Sequence, residues 1–321
     1  MHVHLMALRY FAETARCRSM RQAAEALNVA ASSVNRQILK LEDQLQTKLF
    51  ERLAEGVRLT ASGEVLYRHA LLLDRDLDRA ISEIDDLRGL RRGHVTIACE
   101  DGIARDFLPS ILSDFHRAHP GVTYSIAIHP APAIMAGVID GETDIGVAMF
   151  PPQRNDLAIM AQTQVPLGII AALDHPLAAR SVVELSDLVY EPMIHMKDGI
   201  GSEPELHLTM SRWTRGTYFV ETNTSDSITN LVKAGLGIGV RSPIGIMREI
   251  EAREIAFVPL GDTLARPGRL AIYTKPERAL PVAGAKILER MKQGLDVFSQ
   301  RIERLLRRTE AGSVAASATA R

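Results

Sequence analysis

Residues 19–60, SMRQAAEALNVAASSVNRQILKLEDQLQTKLFERLAEGVRLT, constrain this chain more tightly than any other stretch. Ser19 followed three residues later by Gln22 is a capping-box start, in which hydroxyl and amide each satisfy an orphan backbone N–H. A short helix follows, with Ala23, Ala24 and Leu27 on one face. Asn28 and Val29 end it, because asparagine tolerates the left-handed backbone of a tight helix–helix turn. A second helix is expected from about Ser32 to Leu45. Val34, Ile38, Leu41 and Leu45 recur at spacings of four, three and four, which buries one stripe and turns Ser32, Ser33, Asn35, Arg36 and Lys40 outward. Small polar residues let a backbone approach closely, Asn and Arg can bond base edges in a major groove, and Lys40 can reach a phosphate. Periodicity alone also admits a helical hairpin with a solvated polar face.

A longer pattern decides between them. Leu8-Arg9-Tyr10-Phe11, Ser19, Ala23-Ala24, Leu27, Val34, Arg36-Gln37-Ile38, Leu41-Glu42, Leu49-Phe50-Glu51-Arg52 and Leu59-Thr60-Ala61-Ser62-Gly63-Glu64 fall in one order. This order resembles the winged helix-turn-helix of LysR-type transcriptional regulators. The resemblance implies that Ser32, Ser33, Asn35, Arg36, Gln37 and Lys40 face double-stranded promoter DNA. Arg52 and Arg58, flanking a two-stranded wing with Gly56 at its turn, would contact backbone phosphates or a minor groove; as solvated surface arginines they would do neither. The chain departs from the family at Ala30-Ala31, where Ser-Gln is usual, at Asn35, where a second Ser is usual, and at Glu55 on an often basic wing tip.

Before this stretch, Leu5, Leu8, Phe11, Ala12 and Ala15 give a first helix one apolar face. After it, Thr60 caps a long helix expected to reach about Arg91. Leu66, Ala70, Leu73, Leu77, Ala80, Ile84 and Leu87 alternate spacings of four and three along it, a coiled-coil seam with charged flanks. So narrow a seam calls for a partner helix, and Leu66, Leu73, Leu77, Ile84 and Leu87 are the expected dimer contacts. The resemblance implies a homodimer and its assembly into a homotetramer. Residues 1–60 hold nine Lys/Arg against six Asp/Glu, whereas the whole chain carries a net charge of −1, so a basic footprint is confined to one end.

From His94 the composition changes to short strands alternating with helices, the pattern of a parallel sheet wrapped by helices. Strands are expected at VTIACE, VTYSIAIH, DIGVAMF, LAIMAQT, LGIIAAL, EPMIHM, TYFVE, GIGVR, IAFVPL and RLAIYTK, enough for two small lobes. Helices are expected over Arg105–Ala118, Ile134–Asp140, Glu205–Trp213, Ser225–Ala234 and Lys286 to about Arg308. Phe107-Leu108-Pro109, His119-Pro120, Gly141-Glu142, Asp144-Ile145, His175-Pro176-Leu177 and Ala234-Gly235-Leu236-Gly237 resemble the LysR-type effector domain, itself similar to periplasmic binding proteins. The implied fold is an N-terminal all-α winged helix-turn-helix over 1–60, a linker helix over 61–92 and a C-terminal α/β two-lobed domain over 93–300. Lobe I takes about 93–162 and 268–300, lobe II about 163–267, and 301–321 is a basic helix end with a flexible tail.

Ligands of open α/β sheets bind beyond the carboxyl ends of strands. The junctions there are Glu100, Asp101, Gly102 and Ile103 after the first strand, His129 after the second, and Thr222, Asn223 and Thr224 in the second lobe. In this reading Gly102 and Ile103 offer free N–H groups, while Thr224 or Ser225 alone suffices to cap the following helix. The family often has a small hydroxyl residue where Glu100-Asp101 stand. Two carboxylates repel an anion and favour an amine or other hydrogen-bond-donating small-molecule effector if they face the cleft; if Glu100 points outward, backbone N–H groups alone line it.

Catalytic signatures do not support an enzyme. No G-x-S-x-G elbow occurs, and Gly235, Gly237 and Gly239 precede a strand rather than opening a helix. His116 and His119 share a helix face without a carboxylate or cysteine cluster beside them, so no metal or cofactor is expected. Cys17 and Cys99 lie far apart and read as buried small hydrophobes in a reducing, cytoplasmic setting. No stretch reaches the length of a membrane span and no signal-peptide pattern opens the chain. A ligand-responsive regulator binding promoter DNA follows, with RNA polymerase as a further implied partner. The rival reading, a solute-binding protein, leaves residues 1–90 without a role.

Overall fold

The computed structural model describes residues 4–53, 55–86, 93–149, 154–197, 219–261, 267–276 and 278–319. The chain divides into two compact units, Met1–Ile84 and Asp85–Arg321, and each is described by itself.

In the first unit α1 (Leu5–Cys17), α2 (Met20–Ala26) and α3 (Ala31–Leu45) pack on one another. Ser19 caps α2 by accepting from the Gln22 N–H, and Asn28 takes the left-handed turn with φ of 53°. Phe11, Ala24, Val34, Ile38 and Leu41 are buried together with Leu49 and Phe50, so the periodic stripe of α3 is the core face. The wing is a hairpin of β1 (Phe50–Leu53) and β2 (Gly56–Leu59). Gly56 has φ of 140°, and a Cβ there would lie 2.4 Å from the Arg18 carbonyl oxygen, which already accepts from the Val57 N–H at 3.0 Å. The wing turn is thereby seated on the end of α1. Glu42, 6% exposed, sits under the wing and accepts from the Leu49 and Phe50 N–H groups at 2.9 and 3.3 Å while pairing with Lys48 at 2.7 Å.

Thr60 accepts from the Gly63 N–H and so caps α4 (Ala61–Asp86), which matches the expected start. The expected seam is only partly free. Leu66 is half-buried against the helix-turn-helix core with Tyr67 and Ala70. Leu73, Leu77 and Ile84 are exposed, and Ile81, not anticipated, joins them. Leu87 lies outside the described residues.

In the second unit a five-stranded sheet has the order β4-β3-β5-β12-β6, with β3 (Gly93–Cys99) central between parallel neighbours β4 (Val122–Ile128) and β5 (Ile145–Met149). The sheet is mixed rather than wholly parallel: β12 (Gly268–Thr274) runs antiparallel to β5 and to β6 (Ala158–Val165). The reason is topological. The chain leaves this lobe after β6 and returns as β12, so β12 does not follow a right-handed crossover from a parallel neighbour. β6 also continues to Val165, past the expected lobe boundary at 162. The helix expected over Arg105–Ala118 begins earlier and is broken into α5 (Asp101–Asp106) and α6 (Leu108–Ala118), with Pro109 in the first turn of α6, where no intrahelical N–H is needed. One sheet face carries α6 and the last helix, α10 (Val282–Thr319), through Ile97, Phe107, Ile111, Ile287, Met291 and Phe298. The other carries α7 (Ala131–Ile139) through Ala98, Ile134, Val138 and Tyr273.

The second lobe is built on β7 (Gly168–Ala171), flanked antiparallel by β10 (Gly239–Arg241) and β11 (Ala256–Pro259), with a parallel pair β8 (Ile194–Met196) and β9 (Val220–Thr222) beside them. Two helices follow from it, α8 (Ser225–Lys233) and the short α9 (Met247–Glu251). The helix expected over 205–213 lies outside the described residues. α10 continues through the Ala/Ser-rich segment expected to fray, as far as Thr319; alanine is the strongest helix former and extends it. No helix among the described residues is long and apolar enough to cross a membrane.

Candidate functional site

Two surfaces carry the candidate residues. The first is the outward face of α3. Ser32, Arg36 and Lys40 are exposed, and Ser33, Asn35 and Gln37 are half-buried at its edge. Arg36 and Lys40 make no hydrogen bond or ion pair among the described residues. Ala30 precedes α3 without a side-chain cap, so the first backbone N–H groups of this helix are left for an outside acceptor. The wing arginines are occupied. Arg52 donates to the Asn35 side-chain oxygen at 2.9 Å, tying wing to recognition helix, and Arg58 donates to Glu51 from Nε at 3.1 Å. Each must exchange a partner to reach a phosphate.

The second surface lies at the carboxyl ends of the strands in the other unit. Glu100 is half-buried and does not point outward: its carboxylate accepts from the Met149 N–H at 2.7 Å, at the end of β5. Burial pushes its pKa up to about 7, and the Met149 hydrogen bond offsets only part of that. Asp101 is exposed at the start of α5. The expectation of a free N–H group fails at Ile103. The Ile103 N–H donates to the Glu100 carbonyl at 3.0 Å and its side chain is buried in the core, because the first turn of α5 closes on Glu100. Gly102 is packed on Ile244-Gly245, whose carbonyl oxygen would stand 3.0 Å from a Cβ.

His129 is exposed, with its backbone N–H completing the strand pairing to the Cys99 carbonyl. Thr224 caps α8, as anticipated for one of the pair Thr224 and Ser225, by accepting from the Ser227 N–H. Thr222 is turned onto its own backbone, its oxygen accepting from the Thr224 N–H at 3.3 Å. Asn223 is exposed and makes no hydrogen bond among the described residues.

A cleft of about 400 Å³ opens between α5 of the first lobe and α8 and α9 of the second, lined by Asp101, Ala104, Arg105, Ile128, Asp226, Thr229, Asn230 and Glu249. Only Asp101 among these was foreseen. Ala104, Arg105, Thr229 and Asn230 lie about a turn inside their helices, beyond the strand–helix junctions to which a sequence argument points, while Asp226 is in the first turn of α8 and Ile128 ends β4. Arg105 spans the lobes, reaching Asp226 at 3.1 Å with one nitrogen and Glu249 with another. Behind the cleft Arg241 is enclosed, and its guanidinium donates to the Ser225, Ser242 and Ile244 carbonyls and to the Thr229 hydroxyl. Desolvation lowers its pKa to about 10, so it stays charged at neutral pH. Asp106 answers it, accepting from the Gly245 and Met247 N–H groups at 2.7 and 3.3 Å. Such a linkage of the lobes has no sequence signature.

A helix-turn-helix with a free basic recognition face, joined in one chain to a two-lobed α/β domain with a cleft, defines a DNA-binding protein that also takes a small ligand. Family models agree: residues 5–64 match "Bacterial regulatory helix-turn-helix protein, lysR family", and residues 88–296 match "LysR substrate binding domain". The chain is 27% identical over 286 residues to the RuBisCO operon transcriptional regulator of Allochromatium vinosum, covering 89% of this chain and 94% of that one. A full-length OxyR variant from Pseudomonas aeruginosa superposes with a TM-score of 0.66 at 20% identity, covering 92% of this chain and 95% of that one. Full-length CbnR in complex with its target DNA gives the same TM-score of 0.66 at 20% identity, covering 91% and 99%. The chain belongs to the LysR family of transcriptional regulators, with a DNA-binding N-terminal part and an effector-binding C-terminal part. The solute-receptor reading is set aside, since it gives residues 5–64 no role.

Proposed function

We propose that this regulator binds promoter DNA as a homodimer in the cytoplasm, with α3 in the major groove and an effector bound between the two lobes of the C-terminal part. Arg36 reads a base edge, Lys40 holds a phosphate, and the uncapped first turn of α3 takes a second phosphate. The dimer seam is Leu73, Leu77, Ile81 and Ile84, and pairing of dimers and contact with RNA polymerase complete the assembly. The observation that carries the dimer is this exposed stripe: four large aliphatic side chains, 49, 44, 52 and 57% exposed, on one charged helix.

Leu77→Asp tests it. An unpaired carboxylate in the seam should convert the dimer to a smaller species in sedimentation velocity. DNA affinity should fall with it, because two half-sites are no longer held together. An unchanged oligomer with unchanged DNA affinity would place dimerisation elsewhere.

A further inference from the structure

The cleft between α5, α8 and α9 has a charge pattern that selects its ligand. Three carboxylates line it, Asp101, Asp226 and Glu249, against one lining guanidinium, Arg105. Arg105 is already committed to Asp226 and Glu249. Arg241 behind the wall commits four of its five N–H donors to carbonyl and hydroxyl acceptors. An anion entering here meets three carboxylates, and the donor facing it among the lining side chains is the neutral Asn230 amide.

Glu249 supplies the second, independent observation. It is 8% exposed, one oxygen accepts from Arg105, and the other, Oε2, is buried without a hydrogen-bond partner among the described residues. A buried carboxylate oxygen left unpaired is costly, and a donor brought by a ligand removes that cost. No group of three acidic, histidine or cysteine side chains among the described residues converges closely enough to hold a metal ion. Asp226 and Glu249 share the Arg105 guanidinium, and Ala104 and Ile128 offer apolar wall. Acids beside apolar surface suit an organic cation carried on a short aliphatic chain.

We infer that this cleft binds an aliphatic amine or guanidine, with its cationic head at Glu249 and Asp101 and its chain against Ala104 and Ile128. The inference rests on the effector reading of the two-lobed domain and names the ligand class. An occupant there touches α5 and Arg105 on one lobe and α8 and α9 on the other, so it changes how strongly the lobes are tied.

The test uses the full-length chain and a defined panel by calorimetry: butylamine, the α,ω-diamines of three to six carbons, agmatine, and succinate as the anionic counterpart. At least one cation should bind at one site per chain. Its affinity should drop roughly tenfold or more in Glu249→Gln, which keeps an oxygen for Arg105, and in the exposed Asp101→Asn. Circular dichroism of both variants checks folding. Succinate should not bind. Failure of every cation, binding of succinate, or cation binding indifferent to both substitutions would overturn the inference. A mobility shift with operator DNA separates it from the effector reading. A cation that binds as described yet leaves DNA binding and bending unchanged keeps the cleft assignment and refutes its effector role. No cation binding, alongside a DNA response to another metabolite, does the reverse.

Discussion

Replacing Glu100 by glutamine isolates the one carboxylate that the fold holds at the end of β3 against its own charge. Burial raises Glu100 from 4.5 to about 7, so between those pH values the folded protein keeps a proton that the unfolded chain has released. Stability contributed by this group therefore falls as pH rises through the window and is fully lost above 7; below 4.5 there is no difference. At about 1.4 kcal/mol per unit the shift corresponds to at most about 3.5 kcal/mol, an upper bound because the residue is only half-buried and water screens part of it. Glutamine stays neutral and its oxygen can still accept from the Met149 N–H. Glu100→Gln should thus be more stable than the parent at pH 8, by up to roughly 6–10 °C in the melting of the C-terminal unit. The two proteins should converge below pH 4.5. Cys99 and Tyr273, the neighbours that Glu100 affects, are themselves pushed up and stay protonated through the window. Asp106, also raised by burial, is common to both proteins and cancels in the difference. Thermal unfolding at several pH values between 4 and 8 reads the effect. A gap that is constant with pH, or a variant less stable at pH 8, would refute the reasoning.

Two further substitutions probe the wing. Glu42→Ala should cost roughly 2–4 kcal/mol, since it strands the Leu49 and Phe50 N–H groups in a buried place, and Glu42→Gln should cost less; hydrogen exchange at those two amides is the direct measure. Gly56→Ala should destabilise the same unit by about 1–3 kcal/mol, because φ of 140° is strained for an L side chain and the new Cβ meets the Arg18 carbonyl; weakened DNA binding with lost protection at Val57 would show it.

The parts legible in the sequence are those set by local chemistry. Ser19, Asn28 and Thr60 punctuate their helices as their side chains dictate, and the stripes of α3 and α10 are the buried faces. Leu66 has a spacing that fits both the seam and the helix-turn-helix core, and only packing shows that it leans on that core. The strand-to-helix junctions led to the neighbourhood of the cleft, but not to its lining. Ile103 has the right position and the wrong direction, while Arg105, Asp226 and Glu249 are brought together from three helices across two lobes. Glu42 stood in the family pattern without an assigned task, and its role under the wing appears only when the Leu49 and Phe50 N–H groups are seen to donate to it.

The central claim is that α3 reads DNA with Arg36 and holds it with Lys40. Its most direct test is a titration of full-length protein against an operator selected from random DNA, and against random DNA itself, over a range of salt. Arg36→Ala should weaken operator binding by about 1–3 kcal/mol and relax specificity at one base position, with little loss on random DNA. Lys40→Ala should weaken both equally and lower the salt slope by about one unit. Equal loss on both DNAs for Arg36→Ala, with an unchanged slope for Lys40→Ala, would contradict the account.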